Sequence, residues 1–140
     1  MIKLPKKDIQ SMYDYETFNS LTTNEERLGK FLAPYEAMKI ASTIPGDIVE
    51  CGVFKGTSFV RLALMRQIMG GKFSSKIIGF DTFSDYYPNT QYLEDKHQRK
   101  FWIKTAGSSS IGKDQLINIM KEKKIENYSI VKGDAVKTIP

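Results

Sequence analysis

The sequence holds one cysteine, one histidine and one tryptophan in 140 residues. It also lacks any apolar run of the roughly eighteen residues that a membrane span requires. Cys51 cannot pair within the chain, and neither a second cysteine nor a histidine cluster lies beside it. A disulfide framework and a zinc site are therefore excluded, and a reducing, cytoplasmic setting is expected. The opening "MIKLPKKDIQ" carries charge with no apolar core behind it, so no signal peptide is expected there, and no membrane partner. No internal repeat and no low-complexity tract is present.

What is there suits one soluble globular domain with a single core, at 41% hydrophobic and 26% charged residues. The net charge of +5 raises nucleic acid as a partner. The excess is diffuse, however: Lys121, Lys123 and Lys124 share a helix face with Glu122, and no aromatic-basic platform of the single-strand-binding kind is evident. The densest stretch, "KHQRKFWIK" from 96 to 104, reads as a solvated basic face or an attractor of anionic substrates, and nucleic acid is disfavoured. His97, within that stretch, reads as an exposed residue rather than a base or ligand.

From Thr22, "TTNEERLGKFLAPYEAMKIAS" offers cap residues with Glu at capping-box spacing and places Leu28, Phe31, Leu32, Tyr35 and Met38 on one helical face, with Pro34 as a candidate break. "DIVECGV" is a nearly continuous apolar run, the pattern of a strand buried on both faces. "TSFVRLALMRQIMGG" reads as a helix with a glycine stop, "KIIGFDTF" as a second strand, "KDQLINIMKEKK" as a helix and "YSIVKGD" as a third strand. Residues 84–110 are too long for an ordinary connection and are expected to form a lid, with a short helix over 93–103 and aromatics Tyr86, Tyr87, Tyr92 and Trp102. Alternating strands and helices predict a parallel sheet.

In such a sheet, ligands sit beyond the carboxyl ends of the strands. Three ends line up: Glu50-Cys51-Gly52, Asp81-Thr82-Phe83 and Gly133-Asp134. A dinucleotide fingerprint read from Gly52 would need glycine at Phe54 and Thr57, so a pyrophosphate ligand is disfavoured. S-adenosylmethionine meets the remaining condition. A carboxylate such as Glu50 attracts its ammonium, Asp81 accepts from its ribose hydroxyls, and Gly52 and Gly56 let it lie close to the backbone. "GSSSIGKD", 107–114, matches a phosphate-loop pattern but puts Asp114 where a magnesium-binding hydroxyl belongs, so it reads as a helix start after a serine-rich loop.

"PGDIVECGVFKGTSF", "IIGFDTFSDYYP" and "YSIVKGDAVKTIP" together resemble the TylF/MycF family of class I S-adenosylmethionine-dependent O-methyltransferases, which act on sugar hydroxyls of antibiotics and related molecules. The register runs from about Leu28 to the last residue, and a bulky residue such as Phe54 is expected in the family's first motif. The resemblance implies a Rossmann-like fold with strands in the order 3-2-1, followed in the family by 4-5-7-6, which leaves the first strand here with an open edge. It implies residues 1–24 as an N-terminal arm and 25–140 as the cofactor-binding portion of one methyltransferase domain. It also implies cofactor contacts from Glu50, Gly52, Gly56, Thr57, Ser58, Asp81, Thr82, Gly133 and Asp134, the last two near the adenine. A divalent metal such as magnesium, its ligands and the catalytic base are expected beyond residue 140. The implied partners are a small-molecule hydroxyl acceptor, for example a sugar, and further copies of the chain. The other reading is a non-catalytic cofactor-binding or assembly module on the same fold.

Overall fold

The computed structural model describes residues 1–70, 75–84 and 93–139. The chain divides into two compact units, Lys3–Ile44 and Met1–Ile2 with Pro45–Pro140. The first unit is helical. Asp8 caps α1 (Ile9–Thr22) by accepting from the Ser11 N–H, and Asn24 caps α2 (Glu25–Ala41) by accepting from the Arg27 N–H. Nothing in the sequence periodicity marks α1, because its apolar residues follow no single face. In α2 the cap falls on Asn24, and the helix runs through Pro34 without a break. A lost backbone bond at one position did not outweigh the bonds on either side of it.

The second unit holds β1 (Ile48–Cys51), α3 (Thr57–Ile68), β2 (Ile77–Asp81), α4 (Leu93–Ala106), α5 (Lys113–Glu122), β3 (Tyr128–Lys132) and the short α6 (Ala135–Thr138). The strands pair in parallel in the order β1-β2-β3, the 3-2-1 arrangement that the resemblance implies. Ile48, Ile77 and Tyr128 lie in register, as do Glu50, Gly79 and Ile130. That side of the sheet meets Phe59 and Ala63 of α3 and Leu116 and Met120 of α5 in one buried cluster, closed by Val53, Phe83, Ile111 and Ile125. Helix α4 runs three residues past the expected 93–103, and residues 85–92 of the expected lid, Tyr86, Tyr87 and Tyr92 among them, lie outside the described residues.

The expectation that β1 is buried on both faces is corrected. Ile48 and Glu50 are half-buried, but Val49 is 53% exposed and Cys51 is exposed as well. The apolar run looked continuous because Val49 and Cys51 are apolar, yet they share the face that alternates away from the buried cluster.

At the amino ends of the strands, the buried Arg66 donates from Nη1 to the carbonyls of Ser75 (2.5 Å) and Asn127 (2.8 Å), and from Nη2 to Glu126. One guanidinium thus ties α3 to the segments entering β2 and β3. Burial pulls its pKa down, yet the fork geometry satisfies carbonyls that would otherwise be orphaned. Arg66→Met should therefore cost about 3 kcal/mol, the penalty of leaving several buried acceptors unpaired, measured by urea denaturation. A loss below about 1 kcal/mol would show that water replaces the guanidinium.

Candidate functional site

The carboxyl ends of the strands converge as expected, and Asp81 joins them. Its Oδ2 accepts from the Phe54 N–H (2.9 Å) in the turn after β1, and its Oδ1 accepts from the Phe83 N–H (2.7 Å) in its own turn. Its main-chain carbonyl accepts from the Gly133 N–H (2.9 Å) after β3. Both phenylalanines have positive φ, 50° for Phe54 and 49° for Phe83. Bulky residues avoid that region at a cost of order 1–3 kcal/mol each, so charge-assisted bonds to one carboxylate hold two strained turns in place.

The two glycines of the first motif differ in use. A Cβ on Gly56 (φ 78°) would meet Leu116 Cδ1 at 3.2 Å and Ile111 Cδ1 at 3.3 Å, so Gly56 serves the packing of α5 against the turn. A Cβ on Gly52 (φ 87°) would meet nothing within 4 Å. The space beside Gly52 opens into a cavity of about 450 Å³, within the range of small-molecule pockets.

Gly52, Asp81 and Thr82 line that cavity, with Phe54, Ser84 and Ser110. Its remaining wall is α4, through Asp95, Arg99, Trp102 and Ala106. Trp102 matches the expectation of an aromatic from the 84–110 segment. Asp95, Arg99 and Ala106 were not singled out, though with Trp102 they recur at i, i+4, i+7 and i+11, one helical face. Their signal was hidden by the surrounding basic residues. Lys55 anchors this wall by donating from Nζ to the Ala106 carbonyl at 2.5 Å, at the helix end where a cation is favoured. His97 is exposed on α4.

Glu50 lies on the core side of β1 and, like Gly56, Thr57 and Ser58, does not line the cavity. Its Oε1 accepts from the Ser58 hydroxyl in the first turn of α3, while its Oε2 is buried with no hydrogen-bond partner. Burial raises its pKa above the ordinary 4.5; the Ser58 bond opposes this and the Asp81 charge adds to it. A carboxylate with one satisfied and one unsatisfied oxygen is a receptor for a cationic or hydrogen-bond-donating group. Thr57 and Ser58 open α3, and Ser58 acts through Glu50. Asp134 caps α6 by accepting from the Val136 N–H (3.1 Å), and neither it nor Gly133 lines the cavity. Among the described residues no three His, Cys, Asp or Glu side chains come together as a metal site. No described helix is long and apolar enough to cross a membrane. "GSSSIGKD" leads into α5 with Gly112 at its cap, the helix start that the sequence predicts.

This sheet, with its helices and its cavity at the strand ends, has a Rossmann-like α/β fold, and the solved structures it resembles share it. Two solved structures of CalS11 carry the likeness. One is described as a calicheamicin methyltransferase; it matches with a TM-score of 0.64 at 17% identity, over 96% of this chain and 55% of that one. The other, an apo structure described as a TDP-rhamnose 3′-O-methyltransferase of calicheamicin biosynthesis, matches with a TM-score of 0.55 at 16% identity, over 97% and 53%. The chain spans about half the length of these proteins. No family model matches the sequence, and no curated protein matches it.

Two outcomes follow from the carboxylates. Asp81→Ala should destabilise the fold by about 3 kcal/mol, and adding Phe54→Gly should recover part of the loss, since glycine tolerates the positive φ that Asp81 otherwise enforces. Strictly additive effects in a double-mutant cycle would sever that link. For Glu50, the folded chain holds the proton more tightly than the unfolded chain. As pH rises from 4.5 through the raised value, the unfolded state releases its proton first and stability falls. The melting temperature of Glu50→Gln minus that of wild type should grow from below pH 4.5 toward neutrality; a flat difference would mean the carboxylate is not penalised by burial.

Proposed function

We propose that the chain is the cofactor-binding portion of an S-adenosylmethionine-dependent O-methyltransferase of the TylF/MycF type, acting on a hydroxyl of a small molecule such as a sugar. The observation that carries this reading is Glu50: a buried, unpartnered carboxylate oxygen beside an open glycine, at the end of the first strand of a fold shared with methyltransferases. Those residues fit the methyl donor. Its ammonium suits the free Glu50 oxygen, its ribose hydroxyls suit the remaining acceptor capacity of Asp81 and Thr82, and its bulk suits the space left beside Gly52. Gly133 and Asp134, at the next strand end, are the residues assigned to the adenine side.

Bound there, S-adenosylmethionine supplies an electrophilic methyl group on a positively charged sulfur. The protein's own work is positioning. Ser58 holds Glu50 in place, Asp81 fixes both turns that frame the cavity, and Trp102 with the rest of the α4 face limits water at the site. The acceptor hydroxyl enters against that face, which carries Asp95 and Arg99. The exposed Cys51 thiol suits a cytoplasmic setting.

Titration calorimetry tests the reading. S-adenosylmethionine and S-adenosylhomocysteine should bind, and Glu50→Gln should weaken both by about tenfold to a hundredfold, the worth of a hydrogen bond to a charged group. 5′-Methylthioadenosine lacks the amino-acid end and should bind both proteins equally. Preference for NAD or ATP would overturn the assignment, and cofactor affinity with no transfer to any hydroxyl acceptor would favour a binding module on this fold.

A further inference from the structure

Helix α4 forms a wall of the strand-end cavity without being part of the core. From Glu94 to Ala106 no side chain is fully buried and none belongs to the buried cluster; Phe101 is 56% and Trp102 46% exposed, while Arg99, Ile103 and Ala106 are half-buried. A helix so placed owes little to apolar burial, and 14 residues are marginal as a helix in water without packing. Its seat against the cavity therefore depends on particular polar ties.

One such tie comes from the first turn. Gly107, at φ 79°, ends α4, and its N–H donates to the Ile103 carbonyl at 2.9 Å. The last carbonyls of the helix carry the negative end of its dipole. That of Ala106 accepts from Lys55 Nζ, and the same ammonium lies 5.3 Å from the centre of the Phe54 ring. Lys55 itself does not line the cavity, although Phe54 before it and Ala106 opposite it both do.

The anchor is fixed where the anchored helix is not. Phe54 donates its N–H to Asp81 Oδ2 (2.9 Å) and accepts at its carbonyl from the Ile111 N–H (2.9 Å), and Gly56 donates to the Val53 carbonyl (2.9 Å). Both sequence neighbours of Lys55 are thus held, and with them the direction in which its side chain leaves the backbone. Holding a lysine in one geometry costs rotamer freedom. The helix end and the Phe54 ring face both favour its charge at this point and offset that cost.

We infer that Lys55 is a positioning residue: it seats α4 on the first turn, so that a ligand fixing the turn beside Gly52 also fixes the wall that carries Trp102 and Ala106. The two faces of the cavity then respond as one. The seating follows from these contacts whatever the cavity holds, whereas its coupling to a ligand rests on the methyl-donor reading, and the experiment separates the two.

Trp102 is the sole tryptophan of the chain, so its fluorescence reports on the wall alone. Lys55→Met removes the ammonium and keeps an apolar stem over Phe54, and Lys55 is no part of the buried cluster, so the sheet should retain its circular dichroism. Without ligand, Lys55→Met should shift Trp102 emission to the red and raise its quenching by acrylamide. Amide exchange in Phe101–Ala106 should speed about tenfold, the lower worth of a hydrogen bond to a charged group expressed as an equilibrium. Exchange in β2 should not change, and Lys55→Arg, which keeps the charge, should stay close to wild type. Added S-adenosylhomocysteine should slow exchange in Phe101–Ala106 of the wild type; calorimetry should show it binding Lys55→Met as well, without that slowing. Wild-type emission and exchange in ligand-free Lys55→Met, an equal loss in Lys55→Arg, or faster exchange throughout the sheet would overturn the inference. So would binding to the wild type with no slowing in α4, or the same slowing in Lys55→Met. Absence of binding to the wild type would instead overturn the methyl-donor reading, and the ligand-free comparison of Lys55→Met with Lys55→Arg would then decide the seating.

Discussion

The Asp81 carboxylate is the constraint on which the strand-end architecture rests. Its two oxygens and its own carbonyl reach the turns after all three strands, through Phe54, Phe83 and Gly133. Without it, two phenylalanines would leave the left-handed region, the backbone beside Gly52 would move, and the cavity that Gly52 borders would lose its shape. An acid here does two things: it supplies charge at the site, and it is the fastener that makes the site exist. Phe83 shows the coupling most directly, since the side chain that Asp81 forces into a strained backbone is also part of the buried core.

Glu50 is placed differently and carries a different cost. It sits on the core-facing side of β1, one residue pair from Ile48, so the alternation that buries Ile48 also half-buries a carboxylate. The Ser58 hydroxyl satisfies one oxygen only. Burial and the nearby Asp81 charge both disfavour its ionised form, and a bound cation relieves both. Division of labour follows. Asp81 spends its hydrogen-bonding on the protein, and Glu50 keeps part of its own in reserve, which makes Glu50 the better reporter of ligand charge and Asp81 the better reporter of fold.

What the sequence made legible was the spacing of strands and helices and the acids that close the strands, because buried parallel strands and amphipathic helices impose short-range patterns. Burial of a strand's second face is not short-range. Val49 is apolar whether or not anything covers it, so the pattern overstated the burial of β1. Helix α1 was illegible for the complementary reason: apolar residues all round the axis leave no period to detect. Gly56 and Gly52 look alike as letters, and only the positions of Ile111 and Leu116, more than fifty residues away in sequence, separate a packing glycine from an open one. The α4 wall was readable in principle at its i, i+4, i+7, i+11 spacing, but the lysines between those positions made the segment look like a solvated face.

The sheet is therefore asymmetric along its strands. At the amino ends, Arg66 spends both Nη groups on three carbonyls, leaving only Nε without a partner. At the carboxyl ends, two acids lie near one another, two bulky residues are held at positive φ, and one carboxylate oxygen is buried unsatisfied. Native folds rarely keep unmet hydrogen-bonding and backbone strain together unless something repays them. Among the described residues Glu50 Oε2 has no partner at the carboxyl end and Arg66 Nε has none at the amino end, where Asn127 also holds a positive φ of 53°. What separates the ends is chemistry: a guanidinium bonded to three carbonyls ties the amino end together, while the carboxyl end carries the acids Glu50 and Asp81 beside an open cavity.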